Sequence, residues 1–267
     1  MARRKKTAVT PHPLINETMY YQYLTPHHKE QTLILLHSGA MAGVEWNPQI
    51  KSLSKHFNLL LPDLPGHGQS RLAPNQTLSI AMMGQAVIDM LAREALDKAH
   101  ILGSSMGGAV ALWITLNHPE VIKKMVLYRI GYQKNRATYA HTKAMASSDY
   151  WRQYGLQHWL SKLHQYQGTT SIPDPDAWQT VIADVSKILD PETSDHCHQL
   201  SDLNRIEAET LLIAGDRDPL IPLSELLAMY EAIPNTALWI MPKASHITAT
   251  NTWRAECFAN EIIRFLR

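Results

Sequence analysis

Cysteine is scarce in this chain: there are only two, Cys197 and Cys257, far apart and without the short spacing of a metal module. This argues against both a disulfide framework and a zinc site. Charge of either sign is not in excess, because 25 Lys+Arg face 24 Asp+Glu and leave a formal net charge of +1. A field that small does not draw in nucleic acid or an anionic membrane, and a small neutral partner fits at least as well. No uninterrupted apolar stretch reaches the ~20 residues of a spanning helix. The basic start, Ala2-Arg3-Arg4-Lys5-Lys6, is not followed by an apolar run, so it reads as a frayed tail rather than a secretory signal or an anchor. A reduced, cytoplasmic setting is the expectation. There is no internal repeat and no low-complexity tract. What remains is a chain of 267 residues, 45% hydrophobic and 18% charged, which suits one large domain with a substantial core, interrupted by an insertion.

The order of elements points to fold class. Thr32 to Leu36 is a short apolar, β-branched run that stops at His37-Ser38-Gly39, as a buried strand entering a loop does. Ile50, Leu53 and Phe57 recur at helical spacing, and Asn58 to Leu61 is a second buried run, closed by Pro62, Pro65, Gly66 and Gly68. Ile80, Met83, Val87, Met90 and Leu91 keep a helical period before His100-Ile101-Leu102. The segment from Ala109 to Asn117 is apolar on nearly every side, the mark of a helix enclosed by its surroundings, and Pro119 ends it. Met125 to Tyr128 is a further strand. Such alternation implies an α/β fold, a mostly parallel sheet with helices on both faces.

The rhythm breaks over 132–205. Aromatics gather there, among them Tyr150, Trp151, Tyr154, Trp159, Tyr166 and Trp178, and the patterning is helical. We read this segment as an inserted, mainly helical lid between core segments 1–131 and 206–267. The alternation then resumes with a strand from Thr210 to Ala214, a helix from Leu223 to Ala232, a strand from Ala237 to Met241 and a closing helix from Trp253 to Leu266.

Chemistry concentrates where a strand meets a helix. Gly103-Ser104-Ser105-Met106-Gly107 matches G-x-S-x-G directly after a strand and at the start of a helix. A serine hydroxyl is a poor nucleophile unless a base lies within hydrogen-bond reach and donors wait for the oxyanion. The glycines are needed because a Cβ two residues to either side of the serine would collide with the neighbouring strand and helix. At a helix N-terminus Ser105 also meets the positive end of the dipole, and the amide of Met106 points at the place an oxyanion would occupy.

From about residue 30 to the C-terminus the chain resembles the α/β-hydrolase family. Beyond the serine elbow, the similarity is carried by Pro62-Asp63-Leu64-Pro65-Gly66-His67-Gly68-Gln69-Ser70, by Gly215-Asp216-Arg217-Asp218-Pro219-Leu220-Ile221-Pro222 and by Ala244-Ser245-His246. The resemblance implies Ser105 as nucleophile, Asp218 as the acid and His246 as general base, in the family's chain order. Asp216 is the competing acid, but the family sets its carboxylate just ahead of the proline-containing turn, which favours Asp218 and leaves Asp216 as a loop-stabilising or solvent-facing residue. His37-Ser38-Gly39-Ala40 resembles the oxyanion loop, with Ser38 in place of the usual glycine, and implies the amide of Gly39 as second donor beside that of Met106. The activity implied is hydrolysis of a small or medium carboxylic ester without metal or organic cofactor.

Other residues carry weaker signals. Most of the 14 histidines pack or face solvent, and His67 reads as part of a turn. Asp195-His196-Cys197-His198 suggests a metal by composition, but consecutive side chains diverge, so ligation is not expected. Arg129 follows a strand near the start of the insertion, where it either recognises a substrate carboxylate or forms a salt bridge tying lid to core. Trp151 and Trp159 are the aromatic candidates for the substrate pocket. Three further readings stay open. The Gly103–Gly108 elbow resembles that of carbon–carbon bond hydrolases, although Ile247 stands after His246 where they carry tryptophan. It also resembles cofactor-free perhydrolases. A ligand receptor on the same fold is the non-enzymatic alternative.

Overall fold

The computed structural model describes residues 19–25, 30–72, 76–167, 172–246 and 254–267. The basic tail and Trp253 lie outside them. Strand β1 (Tyr21–Leu24) is followed by β2 (Thr32–Leu36), helix α1 (Asn47–Leu53), β3 (Asn58–Pro62), α2 (Ile80–Arg93), β4 (Ala99–Ser104), α3 (Met106–Asn117) and β5 (Ile122–Tyr128). Then come five short helices, α4 (Tyr139–Met145), α5 (Ser148–Gln153), α6 (Gln157–His164), α7 (Ala177–Leu189) and α8 (Leu200–Leu203). The chain returns through β6 (Glu209–Gly215), α9 (Leu223–Ala232), β7 (Thr236–Met241) and α10 (Ala255–Leu266).

Among the described residues the sheet has seven strands in the order β1-β3-β2-β4-β5-β6-β7. All neighbouring pairs are parallel except β1 with β3. Every residue of β2, β3 and β4 is buried, as expected where helices cover both faces of a parallel sheet. The two-residue period sorts the side chains of β2. Leu33 and Leu35 join the cluster containing Leu53, Phe57, Phe258 and Ile262 on the α1/α10 side. Ile34 and Leu36 join Met83, Val87, Ala109 and Leu112 on the α2/α3 side. α3 is packed between β4 and α2, and Ala109 to Leu112 are fully buried.

Two details differ from the sequence reading. β1, half-buried at each of its four positions, carries no strong apolar run, which is why it escaped notice; it caps the sheet edge by pairing Tyr21 with Pro62 and Leu24 with Leu59. Phe57 lies beyond the end of α1 but still packs in the core with Leu53.

The helical segment after β5 has a small core of its own, in which Trp151, Leu160, Trp178 and Ile182 meet Ala40 of the loop after β2. Polar ties hold it to the rest of the chain. His164 Nε2 donates to the Ala40 carbonyl at 3.0 Å while its Nδ1 accepts from the Gly68 amide at 3.0 Å. Gln167 Nε2 donates to the carbonyls of Gly68 and Ser70. Asp195 accepts from the amides of Ile80 and Ala81, satisfying the first turn of α2.

Candidate active site

Three loops at the carboxyl ends of β4, β6 and β7 bring Ser105, Asp218 and His246 together. Nε2 of His246 lies 3.2 Å from Oγ of Ser105, and Nδ1 lies 2.8 Å from Oδ2 of Asp218. The other carboxylate oxygen of Asp218 accepts from the amides of Leu220 and Ile221 at 2.8 and 3.2 Å, so the acid is held from both sides. Its side chain is fully buried, and that of His246 is 10% exposed. Burial pushes the imidazole pKa below its ordinary value, and the Asp218 hydrogen bond opposes the shift. A neutral ring is therefore available at neutral pH to take a proton.

Local sterics explain why Ser105 stands where it does. Its φ of 51° places it in the left-handed region, which a residue with a Cβ occupies only under constraint. A Cβ on Gly107 would meet the Leu36 carbonyl oxygen at 2.5 Å, and one on Gly103 would overlap the carbonyl of Gly107. Met106 opens α3, so its amide has no partner within the helix. Gly39 lies against it: a Cβ there would come within 3.7 Å of the Met106 Cβ and 2.9 Å of Val185 on α7.

Ser38 belongs to a buried polar cluster. Its amide and hydroxyl donate to the two oxygens of Glu45, at 2.7 and 2.8 Å. Arg129 completes the network: Nε donates to Ser104 Oγ at 2.9 Å, Nη2 to Ser38 Oγ at 2.7 Å and Glu45 Oε1 at 2.6 Å, and Nη1 to the carbonyl of His246. Two expectations for Arg129 are corrected here. Its salt bridge is with Glu45 in the loop after β2, not with the helical segment. Each of its three nitrogens already serves the protein, so its guanidinium is not free to clamp a substrate carboxylate. The pairing was missed because a charged residue in a loop ordinarily faces water; Ser38, standing where a glycine was expected, was the available signal.

The remaining residues separate cleanly. Asp216 is exposed and accepts from the Ala244 amide at 3.1 Å, bracing the loop that carries His246. His67 is fully buried in a turn, bonded through Nδ1 to the Pro65 carbonyl. Asp63 holds the same loop by accepting from Gly43 and Gln69. Asp195 and His196 diverge, the first to α2 and the second to the carbonyl of Gly131.

Ser105, Met106, Gly39 and His246 face a cavity of about 860 Å³. Met41, Val44, Met145, Ile182, Val185 and Leu220 supply much of its apolar wall. Trp151, buried and anchored by Nε1 to the Met145 carbonyl, and Trp159, 40% exposed, also line it. So does Lys134, which the sequence reading did not single out.

The model of the alpha/beta hydrolase fold matches residues 31–178, more than half of the chain. The chain belongs to the α/β-hydrolase family. It is 26% identical over 263 residues to a putative carbamate hydrolase RutD from a Caulobacter species, covering 90% of this chain and 92% of that one. It is 24% identical over 248 residues to a pimeloyl-[acyl-carrier protein] methyl ester esterase of Vibrio campbellii, covering 84% and 91%. Among solved structures, an enol-lactonase from Burkholderia xenovorans superposes with a TM-score of 0.68 at 22% identity, covering 93% of this chain and 96% of the other.

Proposed function

We propose that this chain is a serine-dependent carboxylesterase acting on small or medium acyl compounds. The observation that carries the reading is the hydrogen-bonded line Ser105–His246–Asp218 opening into an apolar cavity. His246 Nε2 takes the Ser105 proton as Oγ attacks the substrate carbonyl carbon. The amides of Met106 and Gly39 hold the resulting oxyanion. The protonated ring then passes its proton to the leaving alcohol, and the acyl group remains on Ser105. Water then gives its proton to His246 and its hydroxide to the acyl carbon; as the bond from that carbon to Oγ breaks, His246 returns the proton to Ser105 and the carboxylic acid leaves. Asp218 keeps Nδ1 protonated and stabilises the imidazolium.

The buried Arg129–Glu45–Ser38–Ser104 network supports this use of the site. It joins the loop of Gly39, the strand end before Ser105 and the backbone of His246 through one guanidinium, which is the kind of support that preorganised sites need. The helices of 132–205 act as a lid over the cavity. Two free, exposed cysteines suit a reducing, cytoplasmic setting.

The test is twofold. A fluorophosphonate probe should label the folded protein once, at Ser105, and short-chain aryl esters should be hydrolysed; an unlabelled, folded protein would overturn the assignment. The Gly103–Gly108 elbow keeps carbon–carbon bond hydrolysis as a second reading. Parallel kinetics with an aryl ester and a ring-cleavage dienoate separate the two.

A further inference from the structure

Three charged side chains line the cavity among the described residues: Glu45, Arg129 and Lys134. Glu45 and Arg129 neutralise each other at 2.6 Å. No carboxylate among the described residues lies within salt-bridge distance of the Lys134 ammonium, and none of their carbonyls accepts a hydrogen bond from it. Its ammonium is therefore left without a direct partner, and Glu225 acts on it only at longer range. We propose that the cavity selects an acyl compound bearing a second, terminal carboxylate, and that Lys134 is the anchor for that group. This rests on the hydrolase reading, whose substrate class it narrows.

The backbone around Lys134 is pinned, which fixes the point from which its flexible stem starts. The Lys134 amide donates to the His196 carbonyl at 3.1 Å, and Gln133 forms a bridge with Cys197. Asn135 Nδ2 reaches Glu225 at 3.2 Å. Lys134 is partly withdrawn from water, and burial pushes its ammonium pKa down to about 8. An ammonium in that condition remains mostly charged at neutral pH and gains from a counter-ion. Its positive charge also acts on His246, which places the proposed anchor within electrostatic reach of the reacting centre. Glu225 is the competing acid whose charge acts on Lys134, without forming a salt bridge.

The neighbouring donors indicate a carboxylate rather than a phosphate. Gln133 Nε2 is engaged with Tyr132 Oη, and Asn135 Nδ2 with Glu225. The hydroxyls of Thr138 and Thr142 donate to the carbonyls of Asn135 and Tyr139. Gln133 and Asn135 each keep one free N–H, so one ammonium and at most two neutral donors remain, which suits a singly charged carboxylate better than a phosphate dianion, ordinarily met by several cationic groups.

The experiment compares 4-nitrophenyl monoesters of glutaric, adipic and pimelic acids with neutral 4-nitrophenyl esters of equal acyl length. Wild type should prefer at least one anionic ester. Lys134→Met should raise KM for that ester about tenfold, while kcat and the neutral-ester kinetics, both read on the pH plateau above the His246 titration where the ring is neutral with or without the Lys134 charge, stay within about twofold; Lys134→Arg should retain most of the preference. Equal losses on both ester classes, or no anionic preference in wild type, would overturn the proposal and show that Lys134 serves Glu225 instead. A second arm needs no turnover: calorimetry of Ser105→Ala protein with adipate and with adipamide. Lys134-dependent adipate binding by Ser105→Ala, together with a wild type that hydrolyses none of the esters, would sink the hydrolase reading and leave the anion site standing. Ester turnover without any Lys134-dependent discrimination would do the reverse.

Discussion

The carboxyl edge of the sheet and the helical segment above it are held by different means. At the edge, each functional atom is over-determined: Ser105 by backbone contacts that tolerate only glycine two residues away, Asp218 by two amides, His246 by Asp218 and Arg129. The helical segment has a small aromatic core and is tied down by a few polar contacts from His164, Gln167 and Asp195. On the proposed function, precise positioning falls to the first region, and a change in the second is expected to alter the cavity wall more than the chemistry. That division is expected where a rigid sheet presents reacting groups and an insertion shapes the pocket.

The most severe way to break the comparison is at the edge itself. Ser105→Ala should lower ester turnover by on the order of 10⁴-fold while leaving the urea unfolding midpoint near wild type. A smaller but still large effect is expected beneath the edge. Glu45→Gln leaves a buried guanidinium without its counter-charge, which costs about 3–5 kcal/mol. Denaturant titration measures the loss, and replacing Glu45 and Arg129 together by methionine should cost less than Glu45→Gln alone.

Acid should separate the regions next. His164 has its pKa lowered to about 4, chiefly by burial, against ~6.5 in the unfolded chain. Between those values the unfolded chain binds the extra proton. The stability from neutral His164 is therefore fully present above pH ~6.5 and is lost at about 1.4 kcal/mol per pH unit as pH falls toward ~4. Urea midpoints followed from neutral to acid pH should show the slope, and His164→Gln should reduce it. Turnover should fall separately as His246 becomes protonated, with a midpoint below the ordinary ~6.5 because burial disfavours the charged ring. A midpoint above that value would contradict the buried, neutral base.

The smallest effect belongs to the cavity rim. Trp159→Ala, at a half-open position, should change stability by less than ~0.5 kcal/mol. Acyl-length preference, read as KM across a series of esters, should shift while kcat on the shortest ester holds. A collapse of kcat there would erase the distinction between the two regions.

Much of the core was legible because its signals are local. The runs Thr32–Leu36 and Asn58–Leu61 and the helical period from Ile80 to Leu91 each declare an element within a few residues, and the strands and helices form close to those bounds. The serine elbow was equally legible, since its glycines answer to a steric demand that lies mostly within the motif. β1 was not, because a short, half-buried edge strand needs neither a strong apolar run nor alternation. Arg129 was placed near the cavity, but its partner Glu45 lies 84 positions away in sequence, and no pattern within either loop announces the pairing.

By itself, then, the order of residues determined the alternation of strands and helices and nominated the candidate reacting side chains, because periodicity and turn sterics act over short stretches of chain. Only the tertiary structure decided which charges cancel. Arg129 is neutralised by Glu45, whereas Lys134 lines the cavity without a salt bridge among the described residues, because the interaction between two charges depends on their separation and solvent exposure, and those exist only once the loops have met.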